Sequence, residues 1–201
     1  KHFILILLGM IFLLPGLKAQ DQKRIGQAAI KVSFESGRRI FPCKWKNKRI
    51  SPEAWPVKAE EIPRLELLVE EALEKYPPKV LRRNLKKVYV VRQLTFFGLE
   101  YGGTYFRKTV YITDNGLEHG YTDQYIEGTL HHEFSSVLLK RNRGKFDEKA
   151  WLMANPQDFV YGNGGVEALR QENTGLTLDP ELFGSGFLNQ YSMASIEEDL
   201  N

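Results

Sequence analysis

Cysteine is almost absent from this chain: Cys43 is the only one in 201 residues, which excludes an internal disulfide framework and any cysteine-based zinc site. An excess of one charge sign is missing too. With 28 Lys and Arg against 25 Asp and Glu the formal charge is +3, and that carries no nucleic-acid footprint. No apolar run spans a bilayer comfortably, because Phe3 to Leu14 falls well short of the roughly 20 residues a transmembrane helix needs. Repeats are lacking. So are nucleotide cradles: Gly162-Asn163-Gly164-Gly165 is turn-rich but is not followed by Gly-Lys-Ser/Thr. Ser135 and Ser136 sit in no Gly-x-Ser-x-Gly elbow, which removes a serine-hydrolase reading.

What is present begins with residues 1–19. Lys1 and His2, the apolar run Phe3 to Leu14, a break at Pro15-Gly16 and the sequence Leu17-Lys18-Ala19 together read as a secretory signal peptide with its cleavage site. A short buried helix or a membrane anchor is the alternative. The expectation is a secreted or periplasmic domain with no stable membrane insertion after signal cleavage. Without Lys1 and Lys18 its formal charge falls from +3 to about +1. The last residues look like the start of a helix, so further residues are expected beyond Asn201.

Residues 20–57 read as an N-terminal strand and a basic loop region, and 58–201 as the main domain. Ile30, Val32 and Phe34 alternate within Ala29–Phe34, the pattern of a half-buried strand. Lys58–Tyr76 carries Ile62, Leu65, Leu67, Leu68, Ala72 and Leu73 at helical spacing, with Pro63 in a first turn and Pro77-Pro78 closing the end. Lys87–Val91, Leu94–Leu99 and Thr104–Ile112 are β-branched and aromatic, and Gly102-Gly103 predicts a hairpin turn between the last two. Asp123–Leu139 returns to helical period. The expected fold class is α+β, with a small, mostly antiparallel sheet packed on this helix and a helical C-terminal part.

That helix carries Thr129-Leu130-His131-His132-Glu133-Phe134-Ser135-Ser136, which reads as His-Glu-x-x-His with Ser136 in place of the second histidine. In the full motif, histidines one turn apart hold a zinc ion on one helix face and the glutamate handles protons. At about 100° per residue, Ile126, Leu130, Phe134, Val137 and Leu138 form the core stripe, while His132 and Ser136 fall nearly opposite. His131 points about 100° away from His132 and reads as a flanking structural residue. Alone, His132 and Glu133 read more readily as an exposed polar face.

The segments "TLHHEFSSVLL", "FDEKAWLMANPQDFVYGNGG" and "GFLNQYSMASIEEDL" resemble the zinc-binding metallopeptidases found among exported proteins of Bacteroidetes-type bacteria, over roughly residues 60–201. Trp151, Asn155-Pro156, Phe159, Tyr161-Gly162, Tyr191 and Glu198-Asp199 follow the order of that family's pattern. The resemblance implies a zincin-like fold and hydrolysis of a peptide or protein substrate. It implies zinc as cofactor on His132 and Glu198, Glu133 as general base and Tyr191 supporting the oxyanion. In such a fold the strand Thr104–Ile112 lies above the motif helix as an edge that pairs with extended peptide.

Ser136 is the departure. A serine hydroxyl is a poor zinc ligand, and a catalytic zinc normally has three protein ligands. The gap could be filled by a water held by Ser136, by His119 from the preceding loop, or by Asp199. Asp199 could instead orient His132 from behind, and a harder ion such as manganese could replace zinc. Glu198 has a rival role, since Ser195 followed by Glu198 is also a capping box. Tyr191 could be an ordinary buried aromatic, and His119 an exposed loop histidine. Two rival readings remain: a catalytically inactive zincin-like domain that binds peptide or a secreted protein partner, and a purely structural surface protein. The cluster Arg38, Arg39, Lys44, Lys46, Lys48 and Arg49 around Phe41 and Trp45 could bind a polyanion or be a solvated loop.

Overall fold

A computed structural model describes residues 22–162 and 178–201. The signal-peptide reading of 1–19 and most of the Gly162–Gly165 turn lie outside the described residues. The fold is α+β. Eight strands are described: β1 (Gln22–Ile25), β2 (Ile30–Ser33), β3 (Glu53–Trp55), β4 (Lys87–Val91), β5 (Gln93–Phe96), β6 (Leu99–Tyr101), β7 (Gly103–Phe106) and β8 (Thr109–Thr113). The helices are α1 (Ile62–Glu74), α2 (Pro78–Asn84), α3 (Asp123–Asn142), α4 (Glu148–Leu152), α5 (Pro180–Phe183) and α6 (Ile196–Leu200).

The larger sheet has the order β1-β2-β4-β8-β7 and is mixed rather than mostly antiparallel. Its central pairings, β2 with β4 and β4 with β8, are parallel, while β1–β2 and β7–β8 are antiparallel. Parallel pairing needs long crossovers. The chain between β2 and β4 supplies β3, α1 and α2, and that between β4 and β8 supplies β5, β6 and β7. Strands from 20–57 thus pair with strands from the rest of the chain.

The alternation of Val32, Val88, Val90, Val110 and Ile112 puts one face of this sheet against α1 and α3, where Leu65, Val69, Ile126, Leu130, Phe134 and Val137 complete the main core. The expected stripe on α3 is the one buried. The other face meets a second layer, the antiparallel sheet β3-β5-β6 and the loop through Phe41 and Trp45, whose rings pack on Tyr111 and Phe96. Among the described residues no helix is long and apolar enough to cross a membrane.

The structure moves the hairpin turns. Leu94–Leu99 is interrupted at Phe97-Gly98, both left-handed with φ of 55° and 76°, and Thr104–Ile112 is interrupted at Arg107-Lys108, where Arg107 has φ of 57°. These are two-residue turns whose left-handed geometry suits the strand twist, but Phe-Gly and Arg-Lys carry weak turn signals. Gly102 is instead the one-residue link between β6 in the small sheet and β7 in the large one. Its carbonyl accepts hydrogen bonds from the Thr113 amide (2.9 Å) and hydroxyl (2.7 Å). Pro77-Pro78 ends α1 as expected, and Pro78 then opens α2 as a first-turn proline.

Candidate functional site

Thr122 caps α3, its hydroxyl accepting from the Tyr125 amide at 3.1 Å. Ten residues on, His132 emerges on the side away from the main core, yet that side is not open to solvent. Helix α6 and the turn Tyr191–Ala194 cover it, and β7 crosses it. His132 Nε2 lies 3.1 Å from Glu198 Oε2. The Tyr191 ring stacks on the imidazole at 6.2 Å between centroids, and its hydroxyl is within hydrogen-bonding reach of Glu198. His132, Glu133, Tyr191 and Glu198 are therefore brought together.

Glu133 lies beneath β7 and is 8% exposed. A Cβ on Gly103 would stand 2.9 Å from Glu133 Cγ and Oε1 and 2.8 Å from Thr129 Cγ2. The Gly102-Gly103 pair is thus a place of close approach between sheet and helix. Burial drives the Glu133 carboxyl up to about 8; Glu198 and Glu197 add to this and His132 opposes it. Burial also works against a charged His132, but the Glu198 carboxylate 3.1 Å away and the charges of Glu133 and Glu197 outweigh it and raise its pKa. Burial and then Glu198 push the Tyr191 phenol well above its usual value. At neutral pH His132 is therefore held toward its cationic form, and Glu133 beside it is mostly protonated. That is the wrong protonation state for a general base.

Glu197 was not singled out in the sequence. It accepts a hydrogen bond from the Tyr105 hydroxyl at 2.9 Å, fastening α6 to β7. Two adjacent glutamates after Ser195 were the available signal. The capping half of the Ser195–Glu198 reading is present, since Ser195 Oγ accepts from the Glu198 amide at 3.2 Å. The Glu198 carboxylate turns the other way, to His132.

Ser136 differs from the expectation of a face turned away from the core. It is 3% exposed, and its Oγ accepts a hydrogen bond from Asn201 Nδ2 at 2.8 Å. Ser135 Oγ reaches the Leu200 carbonyl at 3.5 Å. The position one helical turn after His132 is therefore occupied by the packing of α6 on α3. Asp199 takes no part at His132. Its carboxylate accepts from Trp151 Nε1 at 2.9 Å and from the Tyr161 hydroxyl, which in turn accepts from Asn155 Nδ2 at 2.8 Å. His119 is exposed in the turn before α3, whose first residue, Asp123, already lies roughly 13 Å along the helix axis from His132 at 1.5 Å per residue. His131 is structural: its Nδ1 shares a hydrogen bond of 2.7 Å with the Tyr76 hydroxyl, and its Nε2 lies 3.1 Å from Glu127.

The donor set does not fit a resident catalytic zinc. Only His132 and Glu198 converge, and among the described residues no three His, Cys, Asp or Glu side chains form a group that could hold a metal ion. One feature runs the other way. Glu198 Oε2 is buried and makes no hydrogen bond with proper geometry, although it stands 3.1 Å from His132 Nε2, close to the separation of two donors sharing one small cation.

Comparison with known proteins finds no match among family models, curated proteins or solved structures.

Proposed function

We propose that this chain is a zincin-like domain that binds an extended peptide, or an extended segment of a protein partner, without hydrolysing it. The observation that carries this reading is Ser136. The position where a second metal ligand belongs is sealed in the α3–α6 contact by Asn201, and the would-be base is mostly protonated at neutral pH. The peptide site is the outer edge of β7, which has no strand beyond it among the described residues. A peptide added there takes backbone hydrogen bonds from the sheet and borders Tyr105, Glu197 and the His132 cluster. Residues 1–19, read as an export signal, make the partner a secreted or periplasmic one.

Metal-dependent peptide hydrolysis is the second reading, and the approach of His132 Nε2 to Glu198 Oε2 at 3.1 Å, without hydrogen-bond geometry, is what favours it. A test that separates the two uses the full chain with a library of unstructured peptides, followed by fluorescence anisotropy and mass spectrometry, alongside elemental analysis. Binding that survives Glu133→Gln and is lost when alternate peptide amides are N-methylated supports the binding reading. Peptide cleavage that Glu133→Gln abolishes, with near one zinc per chain, supports the hydrolase. Neither binding nor cleavage would discard both.

A further inference from the structure

The second face of the large sheet carries a feature unrelated to the His132 cluster. The strand register puts Arg24 opposite Lys31, Lys31 opposite Lys87, and Lys87 opposite Thr109. Directly paired residues project to the same side, and this side is the one away from Val32, Val88 and Val110. Three cations therefore stand side by side across three adjacent strands. Like charges placed directly opposite destabilise a sheet, and of the three only Lys87 has a carboxylate beside it among the described residues. Arg24 reaches only the Ala29 carbonyl at 3.5 Å. Lys87 has Glu35 at 3.4 Å and lies over the Tyr89 ring at 3.8 Å. Lys31 pairs with no carboxylate among the described residues. The row forms one wall of a cavity of about 460 Å³ that Lys86, Phe41, Pro42 and Phe106 help to close.

We infer that this cleft binds a polyanion, specifically a sulfated or carboxylated oligosaccharide. Three cations across two inter-strand steps span about 10 Å, which suits a ligand with several spaced negative charges rather than one small anion. The cleft is concave, so a flat bilayer cannot enter it. A nucleic acid is disfavoured because the rings offer no platform for bases. Tyr111 and Phe41 are buried, Tyr89 is covered by Lys87, and Phe106 has Lys44 Nζ at 4.4 Å and Arg107 over it. Lys44 belongs to the basic, aromatic loop noticed in the sequence, which here supplies further positive potential at the cleft's end.

The probe is a fully sulfated hexasaccharide of the heparin type, added to the full chain and followed by calorimetry and thermal melting. A neutral hexasaccharide and a single-stranded oligodeoxythymidine of matched charge are the comparisons. The sulfated sugar is expected to bind in a salt-dependent manner and raise Tm, while the neutral one does neither. Lys31→Gln with Lys87→Gln should weaken binding about tenfold, the scale of two partly screened charge pairs, as Lys145→Gln on a distant surface does not. Arg24→Gln, at the exposed end of the row, provides the same test if the double variant folds poorly. Without ligand, Lys31→Gln should be at least as stable as the parent because a repulsion is removed; a lower Tm overturns the argument from like charges. No Tm shift with the sulfated sugar, unchanged binding by the variants, or equal or tighter binding of the oligodeoxythymidine overturns the proposal.

Discussion

Glu133 is a carboxyl group whose setting changes its chemistry. With its pKa raised from an ordinary 4.5 to about 8, it stays protonated in the folded chain where the unfolded chain would ionise. The stability it contributes is thus complete below about pH 4.5 and is lost as the pH rises to about 8. His132, whose pKa is also raised, acts in the same direction, its contribution fading as the pH climbs from 6.5 through its folded value. Glu133→Gln should therefore flatten the fall in stability between pH 5 and 8 and stabilise the chain at pH 8 by roughly 1–3 kcal/mol. Urea titrations at the two pH values check this, and an unchanged slope in the variant would refute it. Gly103→Ala tests the roof over the same group. Its new methyl meets Thr129 and Glu133 closer than 3 Å, so a loss of about 1–3 kcal/mol is expected with α3 itself intact by circular dichroism.

Helix α6 has only five residues, too few to be stable on its own, yet it positions Glu198, Glu197 and the Asn201 amide. It is held by the Asp199 hydrogen bonds to Trp151 and Tyr161. With Asn155 they are among the residues that carried the family resemblance, so that part of the pattern legible in the sequence forms the network that anchors α6. Asp199→Ala should cost roughly 0.5–1.5 kcal/mol by removing hydrogen bonds to the half-buried Trp151 and Tyr161 and should speed hydrogen exchange across Ile196–Leu200 while leaving α1 protected. Equal exchange in variant and parent would mean the network does not hold the helix. The sequence revealed α1, α3 and the core stripe because period and capping are local signals. It concealed the breaks at Phe97-Gly98 and Arg107-Lys108, because left-handed φ at Phe and Arg is imposed by strand pairing and not by the residues themselves. It concealed the burial of Ser136 for a related reason: a helix wheel shows which side is polar, but not that a distant segment returns to cover it.

Across the whole molecule, one five-stranded sheet separates two cores. The helical core rests on Val32, Val88, Val90, Val110 and Ile112, and the aromatic core on Tyr111 and Val91 from the same strands. Neither core closes without the sheet, and the large sheet draws β1 and β2 from the N-terminal region that the sequence set apart. Shared strands make separate unfolding costly, since losing either layer exposes a face of the other's support. Leu94, fully buried in the aromatic core, makes no part of the helical one. Leu94→Ala should cost about 2–5 kcal/mol and lower both the far-ultraviolet transition, dominated by α1 and α3, and the near-ultraviolet transition of the Phe41, Trp45, Phe96 and Tyr111 cluster by the same number of degrees. Displacement of the near-ultraviolet transition alone would show two independent units. In that case the cation row and the His132 cluster, on opposite sides of the sheet, would have to be treated as sites of separately folding parts.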